Sequence, residues 1–174
     1  MHPDIPELIR HYRLTTLPSE GTLFTGTYRS TKNVAGGGPV GTAMIGLYCN
    51  AMRSHSLFHR LPVDEIWHFY RGDPLRLVLL CADGTSHDVT LGSDPLRGQA
   101  VQFVVPAGTW QAGHCIDVGQ YSLFGCTMAP GFTGAMYEGG TRAALLASHP
   151  DRREDIERFG CAPDASRMPA GFAE

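Results

Sequence analysis

The stretch Ser54–Gly72, SHSLFHRLPVDEIWHFYRG, decides how the chain folds and carries most of its chemistry. His59 stands six residues before Glu65, and Gly72 stands seven after it. On a regular strand Glu65, Trp67 and Phe69 share one face while Ile66, His68 and Tyr70 share the other. A face with one carboxyl group among aromatic rings is the usual make-up of a small-molecule pocket. The turn Gly72-Asp73-Pro74 then sends the chain back.

Outward from this stretch the same period of two recurs. From Thr22, residues Leu23, Thr25 and Thr27 alternate with Phe24, Gly26 and Tyr28. Further strands are expected at Thr42–Cys49, Glu65–Tyr70, Leu75–Cys81, Ser86–Leu91, Val101–Val105, Thr109–His114 and Tyr121–Thr127. Turn signals such as Asp83-Gly84, Gly92-Ser93-Asp94-Pro95 and Pro106-Ala107-Gly108 separate them. Seven or eight short strands at this spacing predict an antiparallel sandwich or barrel. Ile5–Leu14 reads as a short helix with an apolar stripe of Ile5, Leu8, Ile9 and Tyr12. After Pro130-Gly131, Thr141–Ala147 and Asp151–Phe159 read as two short helices split by Pro150, with Asp151 capping the second and Gly160 ending it. Asn33–Gly41, with Gly36-Gly37-Gly38-Pro39, is expected to be a mobile loop.

Composition narrows the function. The chain has 174 residues, which fits a single domain spanning 1–174, with the β-rich body at about 20–132 and the helical tail at about 140–160. Fourteen Lys and Arg against 17 Asp and Glu leave a net charge of −3, which argues against a nucleic-acid partner. Gly (21) and Pro (12) are abundant, and both favour short strands and turns over long helices. No apolar run is long enough for a membrane span and no basic-then-apolar leader opens the sequence. Five scattered cysteines without a C-x-x-C pair read as reduced thiols, so a cytoplasmic location is expected.

Two stretches carry a resemblance to a known family. His59, Glu65 and Gly72, followed later by Pro106-Ala107-Gly108 and Gln111, are similar to the two signatures of the cupin superfamily. HRLPVDEIWHFYRGDPLRL, QFVVPAGTWQAG and GCTMAPGF, with Tyr28-Arg29-Ser30 and the helical tail, resemble the cupin type 5 subfamily from about Leu8 to Phe159. The resemblance implies an all-β fold, the cupin double-stranded β-helix (jelly-roll barrel), and a homodimer. It also implies a site inside the barrel. That subfamily carries Pro-His-Pro-Glu-Gly-Gly before the first strand and a Glu before Thr-Tyr-Arg-Ser. Here those places read Leu17-Pro18-Ser19-Glu20-Gly21-Thr22 and Gly26. If that region lines the pocket, the ligand differs from the family's usual one.

In metal-binding cupins three His and one Glu hold iron, manganese or zinc. The alignment places His59 and Glu65 at two of those positions, but Leu61 and Gln111 at the other two. Leu61 has no lone pair and the amide oxygen of Gln111 is a poor ligand, so the set falls short of a catalytic centre. His68 points away from Glu65 unless a bulge intervenes. The leading expectation is therefore a small-molecule-binding cupin without a metal, with Glu65 and His59 exchanging protons with a small polar carbonyl or sugar-like compound, as in an isomerase or epimerase. Trp67, Phe69, Gln111, Tyr28, Arg29 and His68 are its candidate ligand-binding residues. Two alternatives stand beside it: a metal-dependent oxygenase using His59, Glu65 and Gln111 with a divalent Fe, Mn or Zn ion, and a non-catalytic binding cupin in which Glu65 and His59 satisfy each other. His55, His87 and His114 read as structural or solvated, and Trp110 as packing outside the barrel.

Overall fold

A computed structural model describes residues 1–173. Eleven strands are present among them: β1 (Thr15–Thr16), β2 (Leu23–Arg29), β3 (Thr42–Cys49), β4 (His59–Arg60), β5 (Glu65–Gly72), β6 (Leu75–Leu80), β7 (Ser86–Leu91), β8 (Gln102–Val105), β9 (Trp110–Cys115), β10 (Tyr121–Met128) and β11 (Glu138–Gly139). Three α-helices flank them: α1 (Asp4–Tyr12), α2 (Arg142–Ser148) and α3 (Arg153–Phe159). The strands form two sheets, one in the order β1-β2-β3-β10-β5-β8 and one in the order β11-β4-β9-β6-β7. Every ladder within them is antiparallel. The sheets face each other without hydrogen-bonding into one closed barrel.

The molecule has four layers. Between the sheets, Tyr48, Trp67, Val105, Phe124 and Cys126 of the first meet Leu75, Leu77, Leu79, Leu91 and Cys115 of the second. α1 covers the outside of the six-stranded sheet, its Ile5, Leu8, Ile9 and Tyr12 lying on Leu47, Cys49, Tyr121 and Leu123. Asp4 and Glu7 in its first turn and Arg10 and His11 in its last complement the helix dipole. On the far side α2 and α3 put Leu145, Ile156 and Phe159 onto Phe58, Val78, Leu80 and Ala112. Buried on both faces, β6 reads LRLVLL, with one charge, Arg76, held by Asp88 and Asp155. Trp110 packs in this outer layer, with the Arg60 guanidinium 4.5 Å from its ring centroid.

One local expectation changes. Asp151 does not cap α3: a 3₁₀ turn, Pro150–Arg152, precedes that helix, and the Asp151 carboxyl instead accepts from the Ser86 hydroxyl. Thr141 caps α2, accepting from the Ala144 N–H. In the glycine loop the Val34 N–H donates to the Gly38 carbonyl, Val40 to Lys32 and Gly131 to Pro39, and Gly36, Gly37 and Gly38 take the positive φ its turn requires. Gly72 at the end of β5 has φ +97°, and a Cβ there would sit 2.4 Å from the Tyr121 carbonyl oxygen. That close approach is why the turn after the site strand needs glycine.

Candidate functional site

The two sheets enclose a cavity of about 270 Å³. Its wall is largely apolar, with Phe24, Met44, Leu61, Trp67, Met128 and Phe132 among the lining side chains. Two carboxyl groups and an imidazole reach it from three directions. Glu65 opens β5 in the six-stranded sheet, His59 opens β4 in the five-stranded sheet, and Glu20 comes from the turn before β2. All three are at least nine-tenths buried, at 8%, 4% and 8% exposure respectively.

A relay of buried hydrogen bonds fixes Glu65. Gln111 lies opposite His59 in the β4–β9 ladder and reaches across the sandwich. Its Nε2 donates to Glu65 Oε2 at 2.8 Å, and the Trp67 indole N–H donates to its Oε1 at 2.9 Å. Trp67 is itself stacked on Phe124, with ring centroids 4.9 Å apart. Burial pushes the Glu65 pKa up. His59 pulls it back, Glu20 adds to the rise, and Gln111 and the Cys126 thiol favour the ionised form, but burial prevails. The Cys126 thiol, beside Glu65, is held well above its ordinary value by burial and by the two carboxyl groups.

His59 has a defined tautomer. Its Nδ1 lies 2.9 Å from the Leu57 carbonyl oxygen, so Nδ1–H donates there and Nε2 is left. The ring stacks on Tyr137 at 5.4 Å. Nε2 has no hydrogen-bond partner, yet the sealed, unpartnered side-chain atom among the described residues is His114 Nε2. Nε2 of His59 therefore opens onto the cavity.

Glu20 is the site residue that sequence reasoning missed. Ser19 and Gly21 on either side of it have φ of 60° and 96°. The turn is clamped by Leu57 N–H on the Glu20 carbonyl (3.1 Å), Tyr137 O–H on the Ser19 carbonyl (3.2 Å) and the Ser19 hydroxyl on the Arg167 carbonyl (2.7 Å). The Thr22 hydroxyl donates to Glu20 Oε1. A signal was present in the sequence: Glu20 and Gly21 keep the acid and the glycine of a motif from which their neighbours depart.

The other candidates fall in different places. Tyr28 and Arg29 line the exposed edge of the cavity, where a bulge after Gly26 breaks the alternation of β2 and Arg29 Nη1 donates to the Phe132 carbonyl (2.9 Å). Gln111 stands one layer behind the wall. Phe69 shares the inward face but packs against the core between the sheets, outside the lining. His68 lies on the opposite face, with Nε2 2.9 Å from the Thr127 hydroxyl and the Gln102 amide donating to its Nδ1. The bulge in the β5–β10 ladder falls at Tyr70 of β5, too far along to turn His68 inward. His55 and His114 flank Phe159 in the outer layer.

For a metal the donors are incomplete. Leu61 puts an aliphatic chain into the cavity, and the ligating oxygen of Gln111 is occupied by Trp67. Among the described residues no group of three or more His, Cys, Asp and Glu side chains is placed to hold a metal ion. These residues do not fit a centre of three histidines and one glutamate. Among the same residues no helix is long and apolar enough to cross a membrane.

Known proteins share this fold. The family described as "Cupin superfamily (DUF985)" matches residues 6–139. A hypothetical protein from Leishmania major is 26% identical with a TM-score of 0.81, covering 91% of this chain and 99% of its own. A structural-genomics protein from Shewanella oneidensis is 28% identical with the same TM-score, covering 92% and 98%. A cupin 2 conserved barrel domain protein from Rhodopseudomonas palustris, at 15% identity and TM-score 0.53 over 82% and 81%, shares the fold alone. No curated protein matches the sequence. With the family matched along most of its length, this chain belongs to the cupin superfamily, in the type 5 (DUF985) family.

Proposed function

We propose that the cavity binds a small carbonyl compound with an apolar body, and that Glu65 and His59 move protons on it without a metal. Glu65, whose acid form burial favours, is the group placed to offer a proton to the carbonyl oxygen. His59 Nε2 takes a proton from the adjacent carbon, which leaves a neutral enol between an imidazolium and a carboxylate. Returning a proton to that carbon gives exchange with solvent or, where the carbon is a stereocentre, epimerisation. The observation that carries this reading is the placement of the two groups: they come from opposing sheets, both border the cavity, and each is fixed from behind, Glu65 by Gln111 and His59 by the Leu57 carbonyl. The apolar wall disfavours a polyhydroxylated, sugar-like ligand, whose hydroxyls would lose water without gaining partners. The donor set is the support for leaving a metal out.

Native mass spectrometry of protein purified without a metal-affinity step tests this. We expect a small molecule retained by the wild type and expelled by Leu61→Trp, which fills the cavity. In D₂O that molecule gains deuterium on the wild type and not on Glu65→Gln. Retention by a folded Leu61→Trp variant, or equal deuteration on both proteins, contradicts the reading.

A further inference from the structure

We propose that Glu20 makes this cavity selective for a ligand carrying a protonated amine beside its carbonyl group. The proposal rests on the reading of the cavity given above and names its substrate class. It follows from a census of hydrogen-bond donors and acceptors at the inner end of the cavity.

The donors there are spent on the protein itself. The Thr22 hydroxyl is on Glu20, the Tyr137 hydroxyl on the Ser19 carbonyl and the Trp67 indole on Gln111. The Gln111 amide is on Glu65, and His59 Nδ1–H is on Leu57. Arg29, the cation of the lining, is at the exposed edge and gives Nη1 to the Phe132 carbonyl. Acceptors remain. Once Glu65 serves the carbonyl oxygen and His59 Nε2 the adjacent carbon, Glu20 Oε2 is left with no role and no partner among the described residues. It belongs to a side chain 92% buried, and it is not among the sealed atoms, so it opens into the cavity. Leaving a buried carboxyl oxygen unmatched is costly, and a ligand N–H removes that cost.

Charge favours an ammonium over a neutral donor. The Glu20 carboxyl group, not used as the proton donor, borders the cavity and stands close enough to Glu65 to raise its pKa. Phe24, Trp67 and Tyr137 line the cavity with aromatic rings, surroundings that accommodate a cation better than aliphatic ones do. The turn holds Glu20 in place through left-handed backbone at Ser19 and three clamping hydrogen bonds, so the carboxyl group is presented before any ligand arrives.

The test uses three near-isosteric ketones: 2-aminoacetophenone, propiophenone and 2-hydroxyacetophenone. Each is titrated calorimetrically into the full chain at about pH 6, where the amine is protonated. We expect 2-aminoacetophenone to bind at least about tenfold tighter than either neutral ketone, the size of one charge-assisted hydrogen bond. Glu20→Gln removes that preference while Glu20→Asp keeps part of it, and thermal melts of both variants confirm the fold. Equal binding of amine and ethyl ketone overturns the proposal and leaves the proton-transfer reading standing. So does equal binding of amine and hydroxyl ketone, or a preference that survives in folded Glu20→Gln. Failure of all three ketones to bind overturns both readings. An amine preference without any deuterium exchange supports this proposal and counts against the chemistry assigned to Glu65 and His59.

Discussion

Replacing Gln111 with Leu removes the link between Trp67 and Glu65. The side chain is 1% exposed and makes two hydrogen bonds, 2.9 Å from the indole and 2.8 Å to the carboxyl, which the Cys126 thiol also approaches. Each buried group left unmatched costs about 1–3 kcal/mol, partly offset by the extra apolar burial of Leu. A net loss of about 3 kcal/mol is expected, or a melting point lower by roughly 6–12 °C at this chain length. The loss depends on pH with a definite sign. The Glu65 pKa is raised in the folded protein above its ordinary 4.5, so the folded state holds that proton where the unfolded state has lost it. Stability from this group therefore falls as pH rises through the window between the two values. The Gln111 hydrogen bond lowers the folded pKa, and its removal extends the window upward. Urea denaturation of Gln111→Leu at about pH 5 and pH 8 should thus show the larger loss at the higher pH. A neutral or stabilising substitution, or equal losses at both pH values, would refute the role given to this relay.

Glu65→Gln should stabilise the protein at neutral pH by about 1 kcal/mol, raising the melting point by roughly 2–4 °C, because it removes a buried acid that Glu20 disfavours while the Gln111 amide keeps an acceptor; a lower melting point in a calorimetric scan would contradict this. Leu61→His adds an imidazole to the cavity beside His59 and Glu65, and Co²⁺ titration followed by visible absorption should show tighter binding than in the wild type; stoichiometric binding by the wild type, lost in Glu65→Ala, would sink the metal-free reading. Burial lowers the pKa of His114 below its ordinary 6.5, and its Nε2 is sealed without a partner. The unfolded chain then takes that proton first, so stability is full above about pH 6.5 and is lost as pH falls through the folded value. Melting curves of His114→Phe in a Glu65→Gln background, free of the opposing slope of Glu65, should be flatter below that pH than those of Glu65→Gln alone.

The strands around the site could be read from the sequence because side-chain alternation is local. Glu65, Trp67 and Phe69 against Ile66, His68 and Tyr70 follow from the pleat alone, and the family motifs placed β4 and β9 around them. What the alternation could not supply was depth. Phe69 shares the inward face but is only partly buried, packing against the core beyond the cavity, and Gln111 reaches Glu65 only because β9 crosses beneath it in the other sheet. The bulge after Gly26 lies beyond any period-of-two reading, and it brings Tyr28 and Arg29 to the same opening. Glu20 sits in a turn, where its inward direction depends on contacts with Leu57, Tyr137 and Arg167, between 37 and 147 residues away in sequence.

The most direct test of metal-free proton transfer is deuterium exchange at the carbon beside a ketone. 2-Aminoacetophenone and propiophenone are followed by proton NMR in D₂O, with the protein kept in excess chelator. The account predicts protein-dependent exchange that survives the chelator and falls at least about a hundredfold in both Glu65→Gln and His59→Gln. Exchange that the chelator abolishes, or that persists unchanged in either variant, would contradict it.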